Sequence, residues 1–364
     1  MMKSPKNTGP LAAGLALAAI LSSTAMTPAL AQDNLREVVF GLPNVAMTPA
    51  FCMFAVSSEL GFFAEEGLDV RVQTMSGAGQ VAQMLAAGSI EIGGITPEPI
   101  WTSIDQGYDF RIVYNLVRLP TGAIGVPADS DINGMEDLAG KRLGVQSLGS
   151  SNITLTNALL PRVGVDPGSV QYLAVGVGAQ AFQALQAGHV DGLATSDTNF
   201  APLENMGMAF KYFLGPGQEA LFSTQVVVNG ETVQSDPDFI AGFGRALAKG
   251  TAVAIDNPEA CIQMMWKRYP DTREIGRSED EQMAGSIKVL EKRLALMTDD
   301  YQAEHGWGST NPANVQIWNE FATETAIIPK AISDIDTRYT NDFVDAFNDF
   351  DASAALAEAR AWAP

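Results

Sequence analysis

Two carboxylates and a pair of serines are the residues of this chain best placed to do chemistry. Glu98 and Asp197 each follow a short apolar run and open an amphipathic stretch, and Ser150-Ser151 holds the same place in another such unit. A carboxylate there accepts hydrogen bonds from an amine or pairs with a cation, whereas a hydroxyl beside free backbone N–H groups suits an acceptor or an anion. Each also has a plainer use. An acid in the first turn compensates the helix dipole, and a serine caps the helix that begins near Asn152. Neither acidic motif contains Lys or Arg, which disfavours a strongly anionic ligand, although Arg118 at the end of a central strand could reverse this. There is no HExxH, CxxC, nucleophile elbow, Walker loop or GxGxxG after a strand, and only two histidines, His189 and His305. His189 reads as a solvated turn residue. No catalytic residue, metal site or cofactor is assigned, and the chain is expected to bind its small molecule without turning it over.

The elements that must position these residues alternate between strand and helix. Short apolar runs at 38–41, 68–72, 90–92 and 110–116 are separated by amphipathic stretches at 49–60, 80–87 and 97–106. This grammar predicts a parallel sheet covered by helices. It restarts after Val126, with helices at 135–139, 152–163 and 180–187 and strands at 142–145, 170–174 and 190–193. The stretch Gly79-Gln-Val-Ala-Gln-Met-Leu-Ala-Ala-Gly-Ser-Ile-Glu91 returns one hundred residues on as Ala179-Gln-Ala-Phe-Gln-Ala-Leu-Gln-Ala-Gly-His-Val-Asp191. Each copy reads as a helix ending at a glycine cap and feeding a short buried strand, so two related lobes are expected.

Beyond Val228 the period becomes helical, at 238–255, 259–268, 280–296, 313–326 and 340–350, punctuated by prolines. A helical tail without a sheet must pack on an existing lobe. The expected organisation is therefore lobe one from 32–126 and 223–364, lobe two from 127–222, and a hinge of two crossovers near 121–126 and 223–228.

Lys3 and Lys6, an apolar run over 11–21 and the small residues of Ala29-Leu30-Ala31 predict a signal peptide over 1–31, cut after Ala31. The formal net charge of −20 opposes binding to nucleic acid or anionic lipid. Cys52 and Cys261 could pair in an oxidising compartment, but both read as apolar helix positions, and two buried free thiols are favoured.

Four stretches carry a family likeness: Gly61-Phe-Phe-Ala-Glu-Glu-Gly-Leu-Asp-Val70, the helix-Ala-Gly-x-Ile-Glu-Ile-Gly93 unit, Met135-Glu-Asp-Leu-Ala-Gly-Lys141 and Gln186-Ala-Gly-His-Val-Asp-Gly192. With these the mature chain resembles the periplasmic binding proteins for alkanesulfonates, taurine, nitrate and thiamine pyrimidine precursors. The resemblance implies an α/β, two-lobed type II periplasmic binding fold, a monomeric periplasmic protein and docking to an ABC permease in the inner membrane. A receptor could replace the permease as the docking partner. A eukaryotic branch of the family makes the thiamine pyrimidine from its own histidine, and this chain shows no matching cysteine-rich motif.

Ligands of open α/β sheets sit beyond the carboxyl ends of strands. The loops there offer Asn44 and Thr48 ahead of Phe51, then Thr96 with Glu98, Ser147 with Ser150 and Ser151, and Ser196 with Asp197, while Tyr114 and Asn115 end a central strand. The resemblance places Ser150 and Ser151 where the family sets hydroxyls on the ligand's acidic group. It puts Glu98 where sulfonate binders carry small hydroxyl residues, and Thr195-Ser196-Asp197 where an aromatic is common. The ligand is accordingly expected to be a small polar organic molecule with nitrogen donors, a sulfonate or carboxylate being the alternative. Phe51, Trp101, Tyr114 and Phe222 are candidate walls, each equally at home in a core.

Overall fold

In the computed structural model, residues 35–273 and 276–363 are described. The signal segment and its cut after Ala31 lie outside them. Alternating burial makes the first strand, β1 (Arg36–Leu42), in which Val38, Phe40 and Leu42 face the core. It pairs in parallel with β2 (Leu68–Thr74) and with β3 (Ile92–Ile95). After β4 (Phe110–Asn115) the chain leaves for a second sheet, built from β5 (Gly122–Pro127), β6 (Arg142–Val145), β7 (Gln171–Ala174), β8 (Gly192–Ser196) and β9 (Phe210–Phe213). It then returns, and β10 (Gln225–Asn229) enters the first sheet between β3 and β4.

The strand orders are β2-β1-β3-β10-β4 and β7-β6-β8-β5-β9. Each sheet thus repeats the other, with β5 and β10 as its one antiparallel member. The parallel sheet expected from the sequence is therefore mixed. The stretches read as crossovers are themselves strands, so the chain changes sheets just ahead of each. The hundred-residue echo is structural. Helices Ala78–Ala86 and Ala179–Gln186 both end at glycines in the left-handed region, Gly88 at φ 66° and Gly188 at φ 65°. Both feed the central parallel strand of their sheet, β3 or β8.

The tail is helical, with Pro237–Asp256, Pro258–Arg268, Glu279–Met297 and Pro312–Glu324 as its main members. The segment read as a helix over 340–350 holds only a short one, Val344–Asn348. The helix Glu279–Met297 touches both halves of the chain, resting on the turn Pro49–Phe51 and on the helix Asp197–Asn205. No described helix is long and apolar enough to cross a membrane.

Cys52 and Cys261 form a disulfide, with Cα atoms 5.5 Å apart, which corrects the free-thiol reading. Both are apolar helix positions, as read, but helices Cys52–Glu59 and Pro258–Arg268 lie side by side and turn the two cysteines towards one another. Periodicity reports which face of a helix is buried and not what covers it. Bridging residues 209 apart removes much of the unfolded chain's freedom, worth about 5 kcal/mol in the chain-entropy limit. The double substitution Cys52→Ala/Cys261→Ala is expected to lower the unfolding free energy by about 2–5 kcal/mol in chemical denaturation. A loss below about 0.5 kcal/mol would mean that the bridge merely decorates helices already held by packing.

Candidate functional site

Between the carboxyl ends of the parallel strands of both sheets lies a cleft of about 680 Å³, its open mouth included. The chain builds its floor where it changes sheets. Pro120, Thr121 and Gly122 run out beside Leu221, Phe222, Ser223 and Thr224 running back. Val117 N–H donates to the Thr224 carbonyl and Ser223 N–H to the Val117 carbonyl, each at 2.9 Å, and the Thr121 and Ser223 hydroxyls meet at 2.8 Å.

From the first sheet come Asn44, Phe51, Thr96 and Glu98. Pro97 at the first helical position starts the helix Pro97–Asp105 there, so Glu98 falls in its first turn beside the floor. From the second sheet come Gln146, Ser150, Ser151, Asn152 and Ser196. Ser150 does cap its helix, its Oγ accepting from Asn152 N–H at 3.3 Å, and the same residue lines the cleft. Phe222 and Trp318 form an aromatic wall backed by Trp101 at ring distances of 6.2 and 5.8 Å, with the Trp318 indole N–H donating to the Phe222 carbonyl.

Five of the expected site residues lie elsewhere. Tyr114 and Asn115 are buried inside the first half. The stretch through Gly308 crosses the end of β4, accepting a hydrogen bond from Asn115 N–H at 2.9 Å, and Phe347 packs on the Tyr114 ring. Thr48 precedes the turn Pro49–Phe51 with its hydroxyl buried. Ser147 stands at the mouth, where its hydroxyl donates to the Ser76 carbonyl of the opposite half. Asp197 is beside the cleft, held by Arg293. Arg118 does not reach the cleft either, being buried against Asp299 and the Ser309 carbonyl.

The residue that sequence reasoning missed is Arg293, which lines the cleft from the helix Glu279–Met297. Its Nε and Nη2 donate to Asp197 at 3.0 and 2.6 Å, and its guanidinium lies 5.0 Å from the centre of the Phe51 ring. One signal could have found it. Val289, Arg293 and Met297 are spaced by four along the apolar stripe of that helix, and all three are buried. A cation on a buried stripe needs a partner.

Glu98 is the second charge of the cleft. It is 4% exposed and its Oε2 has no hydrogen-bond partner among the described residues. Burial pushes its pKa up to about 7, against a smaller downward pull from its own backbone N–H and the nearby Thr96 hydroxyl. Thr96 Oγ1 and Gln146 Oε1, also on the wall, are buried and unpartnered too. The cleft can therefore accept hydrogen bonds at several fixed points beside the aromatic wall of Phe222 and Trp318. Among the described residues no group of His, Cys, Asp and Glu is arranged to hold a metal ion.

At the mouth the two halves meet backbone to backbone. A Cβ on Gly77 would lie 2.2 Å from the Gly149 carbonyl oxygen, and Gln146 Nε2 donates to the Pro43 carbonyl at 3.4 Å.

This architecture is that of the two-lobed periplasmic binding proteins. The alkanesulfonate-binding protein SsuA of Xanthomonas axonopodis, solved with MOPS bound, superposes with a TM-score of 0.61 at 16% identity, over 84% of this chain and 98% of that one. A protein of Legionella pneumophila named 4-amino-5-hydroxymethyl-2-methylpyrimidine phosphate synthase is 25% identical over 251 residues, 67% of this chain and 78% of that protein. The formylaminopyrimidine-binding protein of Halalkalibacterium halodurans is 24% identical over 255 residues, 69% of this chain and 76% of that protein. Residues 48–261 match the family described as NMT1/THI5 like, and the chain belongs to that family.

Proposed function

We propose that the chain is the extracytoplasmic solute-binding component of an ABC importer, a monomer that closes on a small nitrogen-bearing ring compound and presents it to a membrane permease. The single observation that carries the ligand class is Glu98, a buried carboxyl with an unpartnered oxygen on the cleft wall. A ring amine or protonated nitrogen supplies the donor it lacks, while Ser150, Ser151 and the helix start behind them meet an acceptor at the other end. The names of the Legionella and Halalkalibacterium relatives point to aminopyrimidines, which fit between such groups and an aromatic wall. The disulfide suits an oxidising compartment and so supports export behind a signal peptide. The expected division into lobe one, 32–126 and 223–364, and lobe two, 127–222, would shift at one point, because the strand Gly122–Pro127 pairs with β8 and β9 and so would move with lobe two.

Turnover is the second reading, favoured by the Legionella relative's name. The residues lining the cleft include no histidine, cysteine or lysine among those described, so a binding role is the better fit. Recovering the probe unchanged in mass after prolonged incubation supports binding. A changed mass would establish an enzyme.

The probe we name is 4-amino-5-hydroxymethyl-2-methylpyrimidine. Calorimetric titration should give saturable binding, and Glu98→Gln should weaken it about ten-fold or more. The same variant makes an opposite prediction for stability. The folded-state pKa of Glu98, about 7, lies above its ordinary value of 4.5. Protonated Glu98 therefore favours the fold, and its contribution is complete below the lower value and lost as pH rises through the upper. Glu98→Gln should remove this loss, on the order of 3 kcal/mol, so that the variant melts above the parent at about pH 8 and beside it at about pH 4.5. A variant that gains stability yet keeps its affinity would sink the ligand role of Glu98.

Closure has its own test. Gly77→Ala should hold the mouth apart and speed ligand release about ten-fold, and because Gly77 sits at φ 158° the added Cβ should also lower the melting temperature of the free protein by about 2–8 °C. Unchanged release would show that the halves do not close through this contact.

A further inference from the structure

We propose that Asp197 is a specificity-determining residue which keeps anions out of the cleft by occupying Arg293. The inference rests on reading the cleft as a ligand site, and it goes further by assigning the discrimination to one carboxylate. Arg293 is the only Lys or Arg among the described residues lining the cleft, and its side chain is 3% exposed. A sulfonate or carboxylate entering the site would need a guanidinium edge, because a planar fork facing two oxygens is the strong form of that contact. Here one edge, Nε and Nη2, already faces both oxygens of Asp197, which is itself 11% exposed. The Phe51 ring lies against the guanidinium, and Nη1 donates to no acceptor among the described residues.

An incoming anion therefore has two poor choices. It can break the fork and strand a buried carboxylate, or it can share one guanidinium with Asp197 in a cleft that Glu98 also lines. Both raise its free energy relative to water. A neutral or cationic donor meets neither obstacle. The Asp197 carboxylate thus acts as a resident anion that takes the place a ligand anion would need.

The corollary is a gain of function. Removing the Asp197 charge leaves a buried guanidinium at the cleft without a counter-ion, and a small external anion should then take the vacated place. The probe is ethanesulfonate, in a buffer of a bulky organic cation with minimal chloride. The parent protein should show no saturable binding by calorimetry up to about 10 mM. Asp197→Asn should melt lower than the parent, recover most of that loss as ethanesulfonate is added, and bind it at least about ten-fold more tightly. Asp197→Asn/Arg293→Gln should lose the response, which separates a guanidinium site from a general salt effect.

Sub-millimolar binding of ethanesulfonate by the parent would overturn the proposal, as would a folded Asp197→Asn indifferent to the anion. Should Asp197→Asn not fold alone, Asp197→Ala and Asp197→Asn are both to be refolded with ethanesulfonate present. Failure of both also overturns it, because an anion able to replace Asp197 should restore the fold. No nitrogenous probe is used, so the outcome is independent of the pyrimidine titration. A parent that binds neither compound defeats the ligand assignment, whereas an anion-responsive Asp197→Asn upholds the role of Asp197 whatever the native ligand proves to be.

Discussion

The two backbone hydrogen bonds between Val117 and the Ser223–Thr224 pair hold side by side the strands that leave and re-enter the first sheet. Each is worth only about 1 kcal/mol net, yet together with the Thr121–Ser223 hydroxyl contact they fix where the two halves join. The residues at this junction also form the floor of the cleft. Connection between the halves and contact with a ligand are therefore made by one short piece of backbone. The loops that both sheets contribute above it are placed by the repeated strand orders, which aim the carboxyl ends of two sets of parallel strands at one space.

The charges of the cleft are arranged with economy. Glu98 lacks a basic partner and drifts towards neutrality, whereas Arg293 is paired through one edge with Asp197. A buried ion pair contributes little net stability because desolvation opposes the attraction. Its lasting effect is geometric. The Arg293–Asp197 fork draws the tail helix Glu279–Met297 to the helix Asp197–Asn205, and Lys292 with Glu204 repeats the link one residue and two turns away. The Arg293 side of the cleft is thus held between segments almost a hundred residues apart.

Much of this was legible in the sequence, for reasons that also mark the limits. The echo at 79–91 and 179–191 revealed two like halves because helix, glycine cap and buried strand all have local signatures. Glu98, Ser150 and Ser196 could be put at the cleft because strand ends and helix starts are local too. Tyr114 and Asn115 obeyed the same rule and failed it, since a distant segment through Gly308 covers the end of their strand. Arg293 and the Cys52–Cys261 bridge were out of reach for the complementary reason. Both depend on which helix lies against which, and a single chain's periodicity carries no record of that. The strands β5 and β10 were read as extended crossovers of a hinge, because antiparallel insertion is a matter of topology and not of local pattern.

The place of β10 between β3 and β4 also sets an order in time. A chain emerging from its N-terminus can pair β1, β2 and β3 early, but β4 has no neighbour in the sheet until residues 225–229 arrive. By then the whole second sheet, from β5 to β9, has already appeared. The later half of the fold is thus free to finish first, while the earlier half waits with an open sheet edge and an unpaired Cys52. Such an edge invites association with other chains. Any factor that escorts this protein to its folded state would do most good over that interval, guarding residues that were made first and settle last.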